Sequence, residues 1–127
     1  MKPPLETVRV SQQGRERLIL LKRITGIEHW NTLCRWAVCV SLRESSQPPN
    51  VSESFEGGVE IAWKVFAGEL SDVINALIRQ RAVLDGLGAE DDAAAACLRA
   101  HLHRGLGYLT SEREIDGIAG FCRRWIR

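Results

Sequence analysis

Four cysteines and three histidines are the side chains of widest chemical reach in this 127-residue sequence. Cys34 stands beside Arg35 in "NTLCRWAVCVSLRE", and a nearby cation together with a helix start is what depresses a thiol pKa toward reactivity. Adjacent helical residues point about 100° apart, however, so Arg35 is not aimed at the Cys34 sulfur. Cys34 shares its face with Ala37, Val38 and Ser41, a stripe of small residues that lets another helix come close. Free cysteine is also among the most buried residue types. A packed thiol is the expectation, and a sulfur relay through Cys34 or Cys39 is the enzymatic alternative.

Metal and nucleotide chemistry find little support. Cys34, Cys39, Cys97 and Cys122 form no Cys-x-x-Cys pair and no Cys/His cluster of zinc spacing. His101 and His103 lie two apart on an expected helix, point roughly 200° apart, and cannot hold one ion between them. The Gly-Gly and Gly-Leu-Gly stretches lack the lysine, the Ser/Thr and the strand–helix setting of a phosphate cradle. No Ser/His/Asp arrangement can be picked out by spacing. No metal, no cofactor and no catalytic residue are predicted.

The elements that would carry any site follow from periodicity. "LETVRV" alternates, which predicts a short strand with Val8 and Val10 inward and Arg9 outward. Ser11 suits an N-cap, a first helix should run to Ile24, and Thr25-Gly26 should end it. A second helix is expected from about 28–31 to Glu44, stopped by the proline-containing loop at 45–57. Between Leu33 and Leu42 only Arg35 and Ser41 are polar, so this helix needs cover on several sides. Leu33, Cys34, Ala37, Val38 and Ser41 are therefore predicted to form an oligomer interface. A second strand is expected at 59–66, with Val59, Ile61, Trp63 and Val65 on one face. Helices should follow at 69–85, at about 91–104, and at 112–126 behind the Ser111/Glu114 capping box. The fold class is mainly α with a short strand component, in one domain. Residues 5–44 form its strand–helix–turn–helix half and 58–110 a half that meets partners or other copies; 111–127 form a tail.

Charge separates these halves. Residues 1–43 hold eight basic and three acidic side chains, a net +5 that leaves −4 on the remainder of a chain whose total is +1. A basic front of this kind suits a polyanion, and equally a solvated helix surface. Arg15 and Lys22, seven apart, fall within about 20° on the first helix and make a phosphate-contacting edge, with Arg17 beside them. The order strand, helix, glycine turn, helix is shared with ribbon–helix–helix DNA binders, whose paired strands enter the major groove. On that analogy Arg9 would face base edges. No apolar stretch reaches the roughly 20 residues that span a bilayer, and "MKPPLETVRV" lacks a signal-type apolar core. A cytoplasmic protein without membrane contact is expected.

Read together, "RVSQQGRERLILLKRITGIEHWNTLCRWAVCVSLRE", the Pro-Pro loop, "VEIAWKVFAGE" and "LRAHLHRGLGYL" resemble the DndE family. Its members are small subunits of the bacterial DNA sulfur-modification (phosphorothioation) system. The resemblance spans about residues 6–110 and leaves 111–127 outside its pattern. It implies an accessory subunit with a ribbon–helix–helix-like fold that forms a homo-oligomer, four copies being expected, in a restriction–modification setting. It also implies binding to double-stranded DNA, with a preference for a nicked backbone, and association with the other sulfur-modification subunits. Arg15, Arg17, Lys22 and Arg23 match the family's first-helix pattern. A sulfur-relay thiol protein and a ribbon–helix–helix repressor are the alternatives.

Overall fold

Val8 and Val10 point inward from β1 (Thr7–Val10), and Thr7 and Arg9 point to solvent, as the alternation predicts. In this computed structural model, which describes residues 2–52, 54–111, 120 and 122–123, β1 pairs antiparallel with β2 (Val59–Ala62). The register sets Val8 opposite Ile61 and Arg9 opposite Glu60. The strand thus finds a partner within its own chain, whereas a ribbon–helix–helix ribbon takes it from a second copy. Trp63 N–H adds a bond to the Glu6 carbonyl at 2.8 Å and closes the end of the ladder.

Ser11 starts α1 (Gln12–Thr25) by accepting from the Gly14 amide at 3.0 Å. Gly26 ends it at φ 73°, a left-handed conformation that costs glycine no Cβ strain. Gly14, Leu18, Leu21 and Thr25, at spacings of three and four, face the core.

The second helix, α2 (Trp30–Leu42), is the apolar rod that the sequence describes. Its cover comes from within the chain, chiefly from α5 (Asp91–Thr110). Leu33, Cys34, Ala37, Val38 and Ser41 are all buried inside the single chain, so the predicted oligomer interface is instead intramolecular core. Intrachain helices suffice because α5 is long and carries alanines and glycines that let it approach.

Two boundaries differ from the sequence reading. The strand expected over 59–66 stops at Ala62, and α3 (Trp63–Ala67) follows. Trp63 and Phe66 are both buried at helical i, i+3 spacing, their ring centres 5.6 Å apart and their planes tilted by 56°, and the Trp63 indole N–H donates to Ser71 Oγ at 2.8 Å. Val65 is left exposed. A 3-10 turn, Gly68–Leu70, leads into α4 (Ser71–Leu84).

The second difference is α5, expected to fray near Arg104 but helical through Thr110. Gly105 is required there by packing: a Cβ would collide with the Ala37 carbonyl oxygen of α2. Helix-interior glycine costs about 1 kcal/mol relative to alanine, and the close α2–α5 crossing offsets it. The two halves expected at 5–44 and 58–110 share one core through this contact and through the β1–β2 ladder. The expected tail helix at 112–126 lies outside the described residues except for 120 and 122–123, which are helical. Gly105→Ala should overpack this crossing and lower stability by about 3 kcal/mol, read as a fall in the urea midpoint at unchanged m-value.

Candidate functional site

Two turns separate Arg15 from Lys22 on α1, about 10 Å along the axis, and both side chains are exposed. Arg23 is exposed beside Lys22. Among the described residues none of these three has a hydrogen-bond or ion-pair partner. The other predicted cations are placed differently. Arg9 lies 3.6 Å from Glu60 and 5.3 Å from the centre of the Phe55 ring, so its charge is partly answered inside the molecule. Arg17 is half-buried, its Nη1 3.4 Å from where a Cβ on Gly107 would stand, and it turns toward α5.

A buried polar network joins α2, α5 and the end of α4. Ser41 Oγ and His101 Nδ1 are 2.8 Å apart, and His101 Nε2 is 3.0 Å from Asp85 Oδ2. The Nε2–H tautomer satisfies every member: His101 donates to Asp85 and accepts from the Ser41 hydroxyl, while Ser41 Oγ also accepts from Arg104 Nε at 2.8 Å. The arrangement has the residue types of a hydrolytic triad, but Ser41 and His101 are fully buried. No substrate reaches the hydroxyl, and the network is structural.

Its second function is to end α2. Arg81 Nε bonds Asp85 Oδ1 at 3.0 Å, and its Nη atoms donate to the carbonyls of Leu42, Glu44 and Ser46. Arg104 donates to the Ser41 carbonyl at 2.8 Å and to the Ser46 carbonyl and hydroxyl at 3.0 Å. Helix α2 has no basic residue in its own last turn, so α4 and α5 supply the cations that its C-terminal dipole favours.

Burial is the largest influence on His101 and pushes its pKa below the ordinary value; the Asp85 hydrogen bond opposes this, and Arg81 reinforces it. Burial alone would raise the Asp85 carboxyl, but hydrogen bonds from His101 and Arg81 prevail and hold it below the usual range. Asp85, Cys97 and His101 also place one ligand atom each within 4.8 Å of one another. The chemistry argues against an ion there: both Asp85 oxygens and both His101 nitrogens are already bonded, and a guanidinium lies against the carboxylate.

The thiols follow burial. Cys34 is pushed up to about 12 by desolvation, which outweighs the lowering by Arg35, and Cys97 goes to about 11 through burial and the Asp85 charge. Burial also raises the pKa of Cys39, even though that residue is exposed. None of these three has the depressed pKa of a nucleophile.

Comparison with known proteins adds a family. The model of the DNA sulphur modification protein DndE matches residues 7–116. The chain belongs to the DndE family. A crystal structure of DndE from Escherichia coli B7A, a protein involved in DNA phosphorothioation modification, has the same fold: its TM-score is 0.63 at 20% identity, over 83% of this chain and 97% of that one. No curated protein sequence matches. No helix among the described residues of this DndE-family chain is long and apolar enough to cross a membrane.

Sequence spacing missed the Asp85–His101–Ser41 network because its members come from three elements. One signal was available: Cys97 and His101, at i and i+4, share a helix face. The network gives this DndE-family fold a defined pH response. His101 with a lowered folded pKa takes up its proton more readily when unfolded, so stability should fall as pH drops through the ordinary value of 6.5. Asp85, held low, adds a further loss as pH falls through and below its ordinary 3.8. Urea midpoints measured from pH 7.5 to 5 should fall, and the fall should shrink in His101→Gln. Asp85→Asn should cost about 3 kcal/mol at pH 7, because it strips Arg81 of its buried partner.

Proposed function

We propose that this chain is a non-enzymatic DNA-binding subunit of the phosphorothioation machinery, holding duplex through its backbone phosphates. The observation that supports this reading is the exposed trio Arg15, Lys22 and Arg23, three cations on one helix with no partner among the described residues. Lys22 and Arg23 also suit the negative end of α1, but Arg15, in its first turn, has no such structural use. Phosphate contacts carry affinity without sequence information, so weak sequence preference is expected, with a nicked backbone favoured over an intact one. Arg9 can join the contact by exchanging its solvent-exposed ion pair with Glu60, which is worth little. The alternative of a sulfur relay is disfavoured by the raised thiol pKa values, and that of a ribbon–helix–helix repressor by the intrachain pairing of β1.

The homo-oligomer belongs to the same proposal, relocated from α2 to α4. Leu70, Val73, Leu77, Val83 and Leu84 are each between 45 and 73% exposed. Three of them, Leu70, Val73 and Leu77, line an apolar groove of about 420 Å³ between α2 and α4, which Trp36, Cys39 and Leu42 line from the α2 side. A contiguous uncovered face of this kind marks an interaction surface. Four copies, the other sulfur-modification subunits at the acidic C-terminal half, and a cytoplasmic setting complete the reading.

Affinity for labelled intact and nicked duplexes across a salt series tests the DNA contact. Log K should fall with log salt by about 0.9 per phosphate contact, and an Arg15→Glu/Lys22→Glu pair should flatten that slope by about 2 units. Binding that ignores salt, or a slope unchanged in the pair, would sink the proposal. Sedimentation tests the assembly: Leu77→Arg should shift the protein toward monomer without unfolding it, and an unchanged mass would remove α4 from the interface.

A further inference from the structure

A cavity of about 260 Å³ opens between α1, α5 and the loop residues 49–51. It lies apart from the apolar α2–α4 groove, and its walls are of another kind. Two arginines, Arg17 and Arg104, line it, and among the described residues none that lines it is acidic. Pro49, Val51 and Ala100 complete the wall, so the charged groups sit in a recess bounded by apolar atoms, where a charge interaction is less screened than on an open helix face.

Its polar groups divide into committed and uncommitted. Four of the five N–H donors of Arg104 are used on Ser41 and Ser46, so Arg104 gives the cavity charge but little donor capacity. His103 accepts from the Ser11 amide at 3.1 Å with Nε2 and donates from Nδ1 to the Arg99 carbonyl at 2.7 Å. It is therefore neutral wall. In contrast, the Arg17 guanidinium, the Asn50 amide and the Tyr108 hydroxyl make no hydrogen bond or ion pair among the described residues. The Tyr108 ring is fixed in place, with the Arg104 guanidinium 5.6 Å from its centre. Gly107 keeps the recess open beside Arg17, whose Nη1 is 3.4 Å from the position a Cβ would take.

A fork of guanidinium donors, a carboxamide N–H and a phenol O–H, unspent in one positively charged recess, match the acceptor-only, multi-oxygen surface of a phosphoryl group. We propose that this cavity is a phosphoryl-anion site that takes a phosphate monoester, with Arg17 as the principal ligand and Asn50 and Tyr108 as orienting donors. The volume lies just below the roughly 300 Å³ at which small-molecule pockets begin, so the ester's attached group must be small or project into solvent. The site differs from the proposed duplex-contacting edge: Arg15, Lys22 and Arg23 stand on the open surface of α1, whereas Arg17 turns away from it. It stands independently of duplex binding.

The full-length protein would be titrated with inorganic phosphate, and separately with ribose 5-phosphate and a deoxynucleoside 5′-monophosphate, at constant ionic strength, by calorimetry or amide chemical shifts. Saturable binding of phosphate is expected, weakened about tenfold or more in Arg17→Gln, and weakened less in Tyr108→Phe, which removes only the hydroxyl. Arg15→Gln should leave it unchanged. Tighter binding of either ester than of inorganic phosphate would support the monoester assignment, and the nucleotide arm tells whether a base adds to the contact. Absence of saturable phosphate binding, or equal weakening in Arg15→Gln and Arg17→Gln, would overturn the site. Because duplex affinity is read separately through Arg15 and Lys22, loss of either reading leaves the other standing.

Discussion

Two guanidinium groups, those of Arg81 and Arg104, take up the carbonyl oxygens at the end of α2, and much of the remaining structure is arranged to put them there. The last acceptors of a helix have no partner within it, and α2, which runs out into the exposed residues 43–47, has neither a glycine cap nor a basic residue in its final turn. The cations come from α4 and α5, and Asp85 and Ser41 orient them, each held in turn by His101. One buried cluster thereby joins three helices. Loss of a single member leaves others desolvated and unpaired, which is why its acid sensitivity and its mutational sensitivity have a common origin.

The same joint explains the close α2–α5 crossing. Gly105 lets the two backbones meet at Ala37, one turn from Ser41, so the apolar side chains and the polar cluster are in register along one contact line. The outer surface is left to two unlike faces. The exposed cations of α1 lie on one side, and the uncovered aliphatics of α4 are a separate feature of the fold. Charged and apolar surfaces on different helices are what the proposed contacts with DNA and with other chains would each require.

Much of this was legible in the sequence, for reasons that can be named. Local signals gave Ser11 as a cap, Gly26 as a left-handed stop, and Val8, Arg9 and Val10 as an alternating strand, because each depends on neighbours a few residues away. The blocks around "LLKRITGI" and "HLHRGLGYL" resemble the family that the matched residues 7–116 establish. What failed depends on distance. Trp63 and Val65 alternate like a strand, yet Trp63 is drawn into a helix by Ser71 and Phe66. Gly105 reads as a breaker, and only the backbone of α2 shows why it is tolerated. Spacing identifies the small-residue face of α2 as a buried one, but periodicity cannot say whether the covering helix belongs to the same chain. Of the five cations, Arg15, Lys22 and Arg23 are exposed without a partner among the described residues; Arg9, also exposed, lies against Glu60, and Arg17 is half-buried beside Gly107 of α5, neighbours that spacing does not reveal.

The pairing of β1 with β2 also bears on how the chain folds. Residue 8 meets residue 61, and Ser41 meets residues 101 and 104, so the contacts that define the native topology close loops of about fifty to sixty residues. Such closures are slow relative to local helix formation. During synthesis the first 44 residues have emerged well before β2 and α5 exist to cover them. In that interval Val8, Val10 and the apolar face of α2 stand open, which makes the nascent N-terminal half a natural client for whatever shields apolar segments at the ribosome.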